Sequence, residues 1–582
     1  MGRFCENCAQ LMQDFVSFVK RFSSSIVERI KECVVLLSKC CCMSRKTRVR
    51  QLYEPVLQNH ERQAAQDFLN HMEAGLQTSP LGKETLDALK ILAFSENPDL
   101  QHSAALYYLH MSQHLNTPLP AEYLSPYQAL LQSSDLEVQQ MSSLSLVNFL
   151  LEGNFSAPCT VNKELVVQVG LLEPILELLE SGDPAVQCNS CACVMTLAMS
   201  ESNREAIGIA GGILPLLTLA KSYDPRVQQN AVGAILNLTR SERIKCILCR
   251  KGALPVLTLL LQSDDAEIQY YSCASLGNIA ANPDHHQAML TIGDGFILRM
   301  LVSLMSSSVQ KVSSQACLCL NNLASTGEVR AHLLSMDIVL FLLTLLNSNN
   351  KDVRQASITL LCTMSHPPGS VDASLCEEIL QPLALLMQTE RTNPVVLIHA
   401  SCTIQNLIQA VNLEMIIQSP CFEELLIALL NPSNEEETLQ YVAASVAELA
   451  KYDITRVHLI KEKALIKRLV QLAGQLEHKE LSFQAASVIK ELSYSVKIAS
   501  ELNYYMKDVL AYLMFFLSHQ ELRFQHLGIA TLCLLKDDPD FSLAISQSRL
   551  KEQLEQIRQQ TEETQALLRV VVSQAESIHL DE

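Results

Sequence analysis

The 582-residue sequence predicts an all-α solenoid, and three observations carry that prediction. A helical pattern recurs with a period of about 42 residues, the spacing of stacked helical repeats rather than of one globular core. The composition is 48% hydrophobic but only 5% aromatic and 18% charged, as in an array of helices rich in leucine and alanine. Glycine and proline number 18 and 20, too few for extended low complexity, and many of them fall at repeating positions.

The unit is clearest in residues 224–240, DPRVQQNAVGAILNLTR. Asp224 and Pro225 supply a turn and an N-cap, after which Val227, Ala231, Ala234, Ile235 and Leu238 form an apolar stripe at helical spacing. Asn237 falls outside the stripe. The pattern returns as DPAVQCNSCACVMTLA from Asp183, DAEIQYYSCASLGNIA from Asp265 and KVSSQACLCLNNLA from Lys311. With Val227 as the phase, the equivalent positions are Leu100, Val138, Val186, Ile268, Val312, Val353, Val396, Thr438, Leu481 and Phe524, and the steps settle to 41–44 from Val186 onward. Before several of these helices another is marked by glycine and proline, in GLLEPILELLES from Gly170, GGILPLLTLAKS from Gly211 and GALPVLTLLLQS from Gly252. Pro174, Pro215 and Pro255 sit near helix starts, where a missing N–H has no intrahelical partner to lose.

With its G-x-L-P, D-x-x-V-Q and closing A-x-x-x-L-x-N-L-A, this three-helix unit resembles the armadillo repeat. The run from Tyr53 to Leu535 begins YEPVLQNHERQAAQDFL and passes through LQHSAAL, VQCN and QYYSCASLGNIA. It resembles, more narrowly, the lipid-anchored vacuolar armadillo proteins of yeasts. That resemblance implies a right-handed armadillo-repeat superhelix, an α-solenoid. The chain then divides into an N-terminal lipidation and amphipathic-helix segment (1–50), a solenoid of about eleven repeats (51–540) and a C-terminal helix with an acidic tail (541–582).

The N-terminus reads MGRFCENC. Removal of the initiator Met leaves Gly2 terminal, as N-myristoylation requires, although Glu6 stands where the fuller pattern has Ser or Thr. Cys5 and Cys8 lie where S-acylation accompanies a myristoylated glycine. A second cluster, Cys40, Cys41 and Cys42, abuts Arg45, Lys46, Arg48 and Arg50. One acyl chain holds a protein only weakly at a membrane, so stable anchoring takes a second chain or a basic patch, and this segment offers both. Cys5-x-x-Cys8 is also half of a zinc spacing, but its matching pair is missing, so no metal is predicted. Between the clusters Leu11, Phe15, Val19, Phe22, Ile26, Ile30, Cys33 and Leu37 share one helix face. Three placements of that face stay open: in the membrane interface, on the first repeat, or against a second copy in a homodimer.

Further along, GNFSAPCTVN (153–162) reads as a surface loop inserted after Asn148. Beyond KDDPD, a helix is predicted through residues 541–582 with Leu550, Leu554, Ile557, Leu567 and Leu568. It serves either as a cap on the last repeat or as a short coiled coil.

The formal net charge is −18, and residues 1–50 carry +6 of their own, which leaves −24 on the remainder. That balance argues against sequence-independent nucleic-acid binding, which needs Lys and Arg to displace phosphate counterions. Most of the 20 cysteines, including Cys191, Cys193, Cys273, Cys317 and Cys319, fall within helical stripes as small hydrophobes, which fits a reducing compartment. No signal peptide is apparent. The longest apolar runs, 338–346 and 509–517, are about half a bilayer span.

In armadillo arrays the closing helix of each repeat lines a groove, and its Asn bonds the backbone of an extended peptide. Carried onto this sequence, ten residues past each phase position, the ladder reads His110, Asn148, Thr196, Asn237, Asn278, Asn322, Thr363, Asn406, Glu448, Glu491 and Leu534. Peptide binding is therefore expected at Asn148, Asn237, Asn278, Asn322 and Asn406, with a locally satisfied helix-end amide as the competing reading of each. The tryptophans that importin-type grooves place one turn earlier are absent, since the chain has no Trp; Leu144, Gly233, Ala274 and Leu318 stand there. The basic lining of catenin-type grooves is replaced by Val147, Leu236, Gly277, Asn321, Cys362 and Gln405.

No Walker A, G-x-G-x-x-G, H-E-x-x-H or G-x-S-x-G pattern occurs, and Cys246-x-x-Cys249 reads as helix core, so neither catalytic residues nor a cofactor is predicted. The sequence thus points to a non-enzymatic scaffold, lipid-anchored on the cytoplasmic face of a vacuole- or lysosome-like membrane, that binds protein partners through its groove. The resemblance implies roles in vacuole inheritance, nucleus–vacuole contact and autophagy-linked trafficking. The alternative is a soluble, catenin-like adhesion or signalling adaptor whose N-terminal helix serves self-association.

Overall fold

A computed structural model describes residues 57–73, 82–114, 119–151, 160–366, 373–408 and 413–549, together with 553–554 and 556–557. Regular structure among the described residues is entirely helical, as an all-α solenoid requires. The chain divides into two compact units, residues 1–294 and 295–582.

In the first unit the closing helices of successive repeats are α1 (Pro98–His114), α2 (Leu136–Leu151), α3 (Pro184–Leu197), α4 (Pro225–Leu238) and α5 (Ala266–Ala280). Each packs on the next in chain order. In the second unit α6 (Gln310–Leu323), α7 (Lys351–Met364), α8 (Pro394–Leu407), α9 (Glu436–Ala450), α10 (Lys479–Leu492) and α11 (Leu522–Leu535) pack in the same serial way. Contacts between neighbours are what a repeat has in place of a central core.

The phase residues explain why the stack forms. Leu100, Val138, Val186, Val227, Ile268, Val312, Val353, Val396, Thr438, Leu481 and Phe524 are all 2% exposed or less. Each sits one turn inside a helix start that the sequence also specifies. The Asp183 carboxylate accepts from the N–H groups of Ala185 and Val186, Asp224 from Arg226, Asp265 from Glu267 and Ile268, and the Asn350 side chain from Asp352 and Val353. The D-x-x-V wording is therefore an N-cap followed by the first buried residue of the closing helix.

The short connection between the first and second helices of a repeat is also fixed chemically. Gly170, Gly211 and Gly252 adopt φ of +83°, +85° and +86°, a left-handed conformation that costs glycine nothing. In the second unit Asp337 (φ 55°) fills the same role.

Three expectations are corrected. Cys246 and Cys249 are half-buried rather than core, because their short surface helix, Glu242–Arg250, turns only Ile244, Lys245 and Leu248 inward. The C-terminal helix does not run on from 541: Asp538 caps a helix Pro539–Ser546, which ends at Gln547. Leu554 and Ile557 are nevertheless buried in the second unit, as a capping role requires of them. The helix Thr160–Gln168 also begins inside the stretch read as a loop. Gly2, Cys5, Cys8, Cys40, Cys41, Cys42 and the amphipathic stretch between them lie outside the described residues, as do 558–582.

Candidate functional site

The five expected amides lie on the partly exposed stripe of the closing helices, whereas His110 and Thr196 at the same phase are buried. On α4 the residues at 227, 231, 232, 234, 235 and 238 are buried, whereas Gln229, Asn230, Leu236 and Asn237 are half-buried on the remaining side. Asn148, Asn278, Asn322 and Asn406 have the same half-buried status at the same phase on α2, α5, α6 and α8. In the first unit this brings Asn148, Asn237 and Asn278 onto a serial stack of closing helices, with the buried Thr196 between the first two. In the second unit Asn322 and Asn406 flank Thr363, whose hydroxyl donates to Asn321 Oδ1 at 2.6 Å.

Each amide with a described bond is held by the preceding repeat. Asn148 Nδ2 donates to Ser112 Oγ at 3.0 Å, Asn278 Nδ2 to Thr239 Oγ1 at 3.0 Å and Asn406 Nδ2 to Ser365 Oγ at 2.9 Å. All three hydroxyls stand twelve residues past their own phase position, and each donates onward to a carbonyl three residues back in its helix, those of Leu109, Leu236 and Cys362. In the repeat before Asn237 the corresponding residue is Ala198, which has no hydroxyl, and Asn237 Nδ2 donates instead to the Met195 carbonyl at 2.8 Å. A primary amide has two N–H groups and a carbonyl oxygen, so the bond made by Asn148, Asn237 or Asn278 takes one donor and leaves hydrogen-bonding capacity on the exposed side, whereas Asn406 Nδ2 also meets His366 Nδ1 at 3.2 Å.

Toward the C-terminus the ladder changes character. Glu448 and Glu491 occupy the amide positions of α9 and α10, and each is paired with a lysine, Lys451 at 2.6 Å and Lys490 at 2.8 Å. The position one turn before the ladder on α4 is Gly233, and a Cβ built there would lie 2.6 Å from Met195 Sδ, so the Met195 side chain fills the space a larger residue would take.

A second recurring feature was not read from the sequence. Eighteen residues past the phase, a basic side chain of the next repeat's first helix turns back on the end of the closing helix. Arg204 Nη1 donates to the carbonyls of Ala198 (3.2 Å) and Met199 (3.1 Å), and Arg330 Nη1 to those of Ala324 and Ser325, both at 3.1 Å. Arg456 Nη1 donates to Ala450 and Lys451, and His286 Nε2 bonds the Ala280 carbonyl at 2.7 Å. Lys245 holds the same phase and pairs with Glu242 at 2.6 Å. The arginine and histidine contacts satisfy carbonyls at the ends of α3, α5, α6 and α9, where each helix carries its negative dipole end.

No group of three or more His, Cys, Asp or Glu side chains among the described residues is placed to hold a metal ion. Cys191, Cys193, Cys273, Cys317 and Cys319 are 1% exposed or less, and burial pushes the Cys317 thiol up to about 12. Burial likewise raises Cys249, to about 11. No single described helix is long and apolar enough to cross a membrane.

The family model for the armadillo/beta-catenin-like repeat matches residues 159–194, 200–240 and 242–281, the stretch containing α3, α4 and α5. Residues 159–281 carry armadillo repeats. Among curated proteins, vacuolar protein 8 of Gibberella zeae is 38% identical over 134 residues, 23% of this chain and 22% of that protein. Vacuolar protein 8 of Schizosaccharomyces pombe is 35% identical over 136 residues, 23% of each. The chain thus spans less than a quarter of the length of the curated relatives it matches. An engineered protein of known structure superposes with a TM-score of 0.61 at 23% identity, covering 72% of this chain and all of its own. A structure from work on the interaction between cadherin and beta-catenin superposes with a TM-score of 0.58 at 14% identity, covering 83% and 99%. At these identities the two structures speak for the fold alone.

Proposed function

We propose that this chain is a membrane-tethered, non-enzymatic armadillo scaffold whose closing-helix face holds extended peptide segments of partner proteins. The observation that carries the reading is the half-buried amide ten residues past the phase on α2, α4, α5, α6 and α8. An extended peptide offers one N–H and one C=O per residue, and a row of amides answers both whatever the side chains are. An amide already fixed by its neighbouring repeat loses less freedom when a peptide docks. The first four of these helices lie in the first two thirds of the chain, and there the groove is expected to be best formed.

Vacuole- or lysosome-type organelle contact, inheritance or trafficking is the setting that the vacuolar protein 8 relatives support. Tethering would come from Gly2, Cys5, Cys8 and the cluster Cys40, Cys41 and Cys42 beside its basic residues, and it would raise the effective concentration of whatever the face holds.

Affinity capture of partners with the wild type and with Asn237, Asn278 and Asn322 changed to Ala tests the binding reading. A discrete subset of partners is expected to disappear from the variant, and an unchanged partner set would refute it. Membrane fractionation tests the tether: Gly2→Ala, Cys5→Ser, Cys8→Ser should move the protein from membrane to cytosol, whereas a wild type already in the cytosol would favour the soluble adaptor.

A further inference from the structure

The closing-helix face of the first unit is almost without charge. Across α2, α3, α4 and α5 the Asp, Glu, Lys and Arg residues are Glu137, Arg226 and Glu267 alone, and each stands just before a phase position, at the helix start. From the phase residue onward none of the four helices carries a charge, in a chain of which 18% is charged. In the second unit α9 and α10 differ, because half-buried Glu448, Lys490 and Glu491 lie within their partly exposed stripes.

A second amide phase shares the uncharged face. Asn230 and Asn237 are seven residues apart on α4, so they fall on nearly the same side of the helix with a rise of about 10.5 Å between them. Asn230 Nδ2 donates to the Cys188 carbonyl at 3.1 Å. At the same phase on α3, Asn189 Nδ2 donates to Ser143 Oγ at 3.1 Å and to the Gln140 carbonyl at 3.3 Å. Each of these amides is held through its nitrogen by the preceding repeat, which leaves a carbonyl oxygen to accept, whereas Asn237 and Asn278 keep an N–H to donate. Between the two phases the half-buried side chains of α2 and α3 are apolar: Leu144, Ala192 and Met195.

We infer that this face takes an uncharged extended segment of a partner, which crosses the stacked helices between the two amide phases and rests its inward side chains on Leu144, Ala192 and Met195. The inference rests on the peptide-binding reading and narrows it to one chemical class. Groups that hydrogen-bond the two edges of an extended chain each stand about 4.8 Å from it, so about 9.6 Å apart, which the rise between Asn230 and Asn237 matches. Carbonyl oxygens along one edge meet the segment's N–H groups, and amide N–H groups along the other meet its carbonyls. A charged or phosphorylated side chain set on the apolar floor would lose water without gaining an opposite charge, which is costly for either sign. The face therefore discriminates by rejecting charge rather than by attracting it. With no charge to pair across the interface, affinity is indifferent to salt.

The test pans phage-displayed random peptides of about 12 residues, long enough to cross several repeats, on the full-length protein. Binders whose signal falls several-fold on Asn237→Ala are kept, with circular dichroism to confirm that the variant is folded. Asp, Glu, Lys and Arg should be depleted in the kept peptides at least about threefold against the starting library, and their wild-type dissociation constants should change less than about twofold between about 50 mM and about 500 mM NaCl. Ala192→Glu, which removes no amide, should weaken the same peptides at least about tenfold. Kept binders enriched in either sign of charge, weakened about tenfold by salt, or unaffected by Ala192→Glu would overturn the uncharged class and leave the peptide-holding reading standing. A library that yields no binder sensitive to Asn237→Ala would overturn both.

Discussion

Asn237 on α4 donates its side-chain N–H to the backbone carbonyl of Met195 on α3, 2.8 Å away and one repeat earlier. The bond joins two repeats, so its loss should register as weaker stacking. Asn237→Ala is expected to lower stability by about 1 kcal/mol, the usual net value of such a bond. Asn237→Asp should cost more at neutral pH, since a carboxylate has no proton to donate and would face the Met195 carbonyl, and protonating it in acid should return part of the loss. Urea midpoints of the three proteins at two pH values check this, and equal midpoints for Asp and Ala at pH 7 would contradict the assigned donor.

Gly252 isolates backbone strain from packing. Its φ is +86° and a Cβ built there meets nothing within 4 Å, so Gly252→Ala introduces no clash. The expected cost of about 1–2 kcal/mol is then entirely that of a left-handed alanine. Asp337 occupies the equivalent turn at φ 55°, and Asp337→Gly should be neutral to slightly stabilising. Thermal midpoints of the two variants should therefore move in different directions, or the second not at all.

The phase of the fold was legible because one position per repeat is buried in every copy. Val227 and its ten equivalents needed only the sequence spacing to be placed in the core. The amide ladder was legible in position but not in bonding. Whether Asn278 meets Thr239, or Asn237 meets Met195, depends on a residue about forty positions away, which local pattern does not relate to it. The signal was nevertheless present, since Ser112, Thr239 and Ser365 share one phase, and Arg204, Lys245, His286 and Arg330 share another at steps of 41–44. They passed unread because a polar residue off the apolar stripe looks like any solvated one until its partner's carbonyl is placed. Cys246 and Cys249 fail in the opposite sense: a helix of nine residues on the surface buries too narrow a stripe to take them in.

Asp224 gives a pH dependence with a defined sign. Its carboxyl caps α4 through the Arg226 N–H at 2.9 Å and pairs with the Arg226 guanidinium, also at 2.9 Å. The hydrogen bond from the Arg226 side chain is the leading cause that holds it below 3.8, against a smaller opposing effect of burial. A carboxyl lowered on folding contributes stability that is present above its unfolded value and is lost as pH falls through the folded one. Asp224→Asn keeps a capping oxygen but cannot ionise. The stability difference between wild type and Asp224→Asn should therefore hold steady above about pH 4 and shrink below pH 3.8. A difference that grows in acid would reverse the assignment.

Arg204 supports the stacking of α3 from outside it. The side chain is 8% exposed, and its Nη1 bridges the carbonyls of Ala198 and Met199, the residues that end that helix. Burial is the leading cause that lowers the guanidinium from its ordinary value, yet an arginine remains charged at any working pH, so the positive charge sits at the negative end of the helix dipole. Arg204→Ala removes both donors and leaves two carbonyls without them, for an expected loss of about 1–3 kcal/mol. Arg204→Lys keeps the charge but offers an ammonium on a shorter, less directed stem, and should recover only part of it. Arg330→Ala in the second unit should behave alike, because Arg330 makes the same pair of bonds to Ala324 and Ser325. Denaturant midpoints measure the loss, and amide exchange should quicken at 195–204 for the first variant and at 321–330 for the second. A change within about 0.5 kcal/mol for Arg204→Ala, the range of an ordinary surface substitution, would mean that the helix end is satisfied without the arginine.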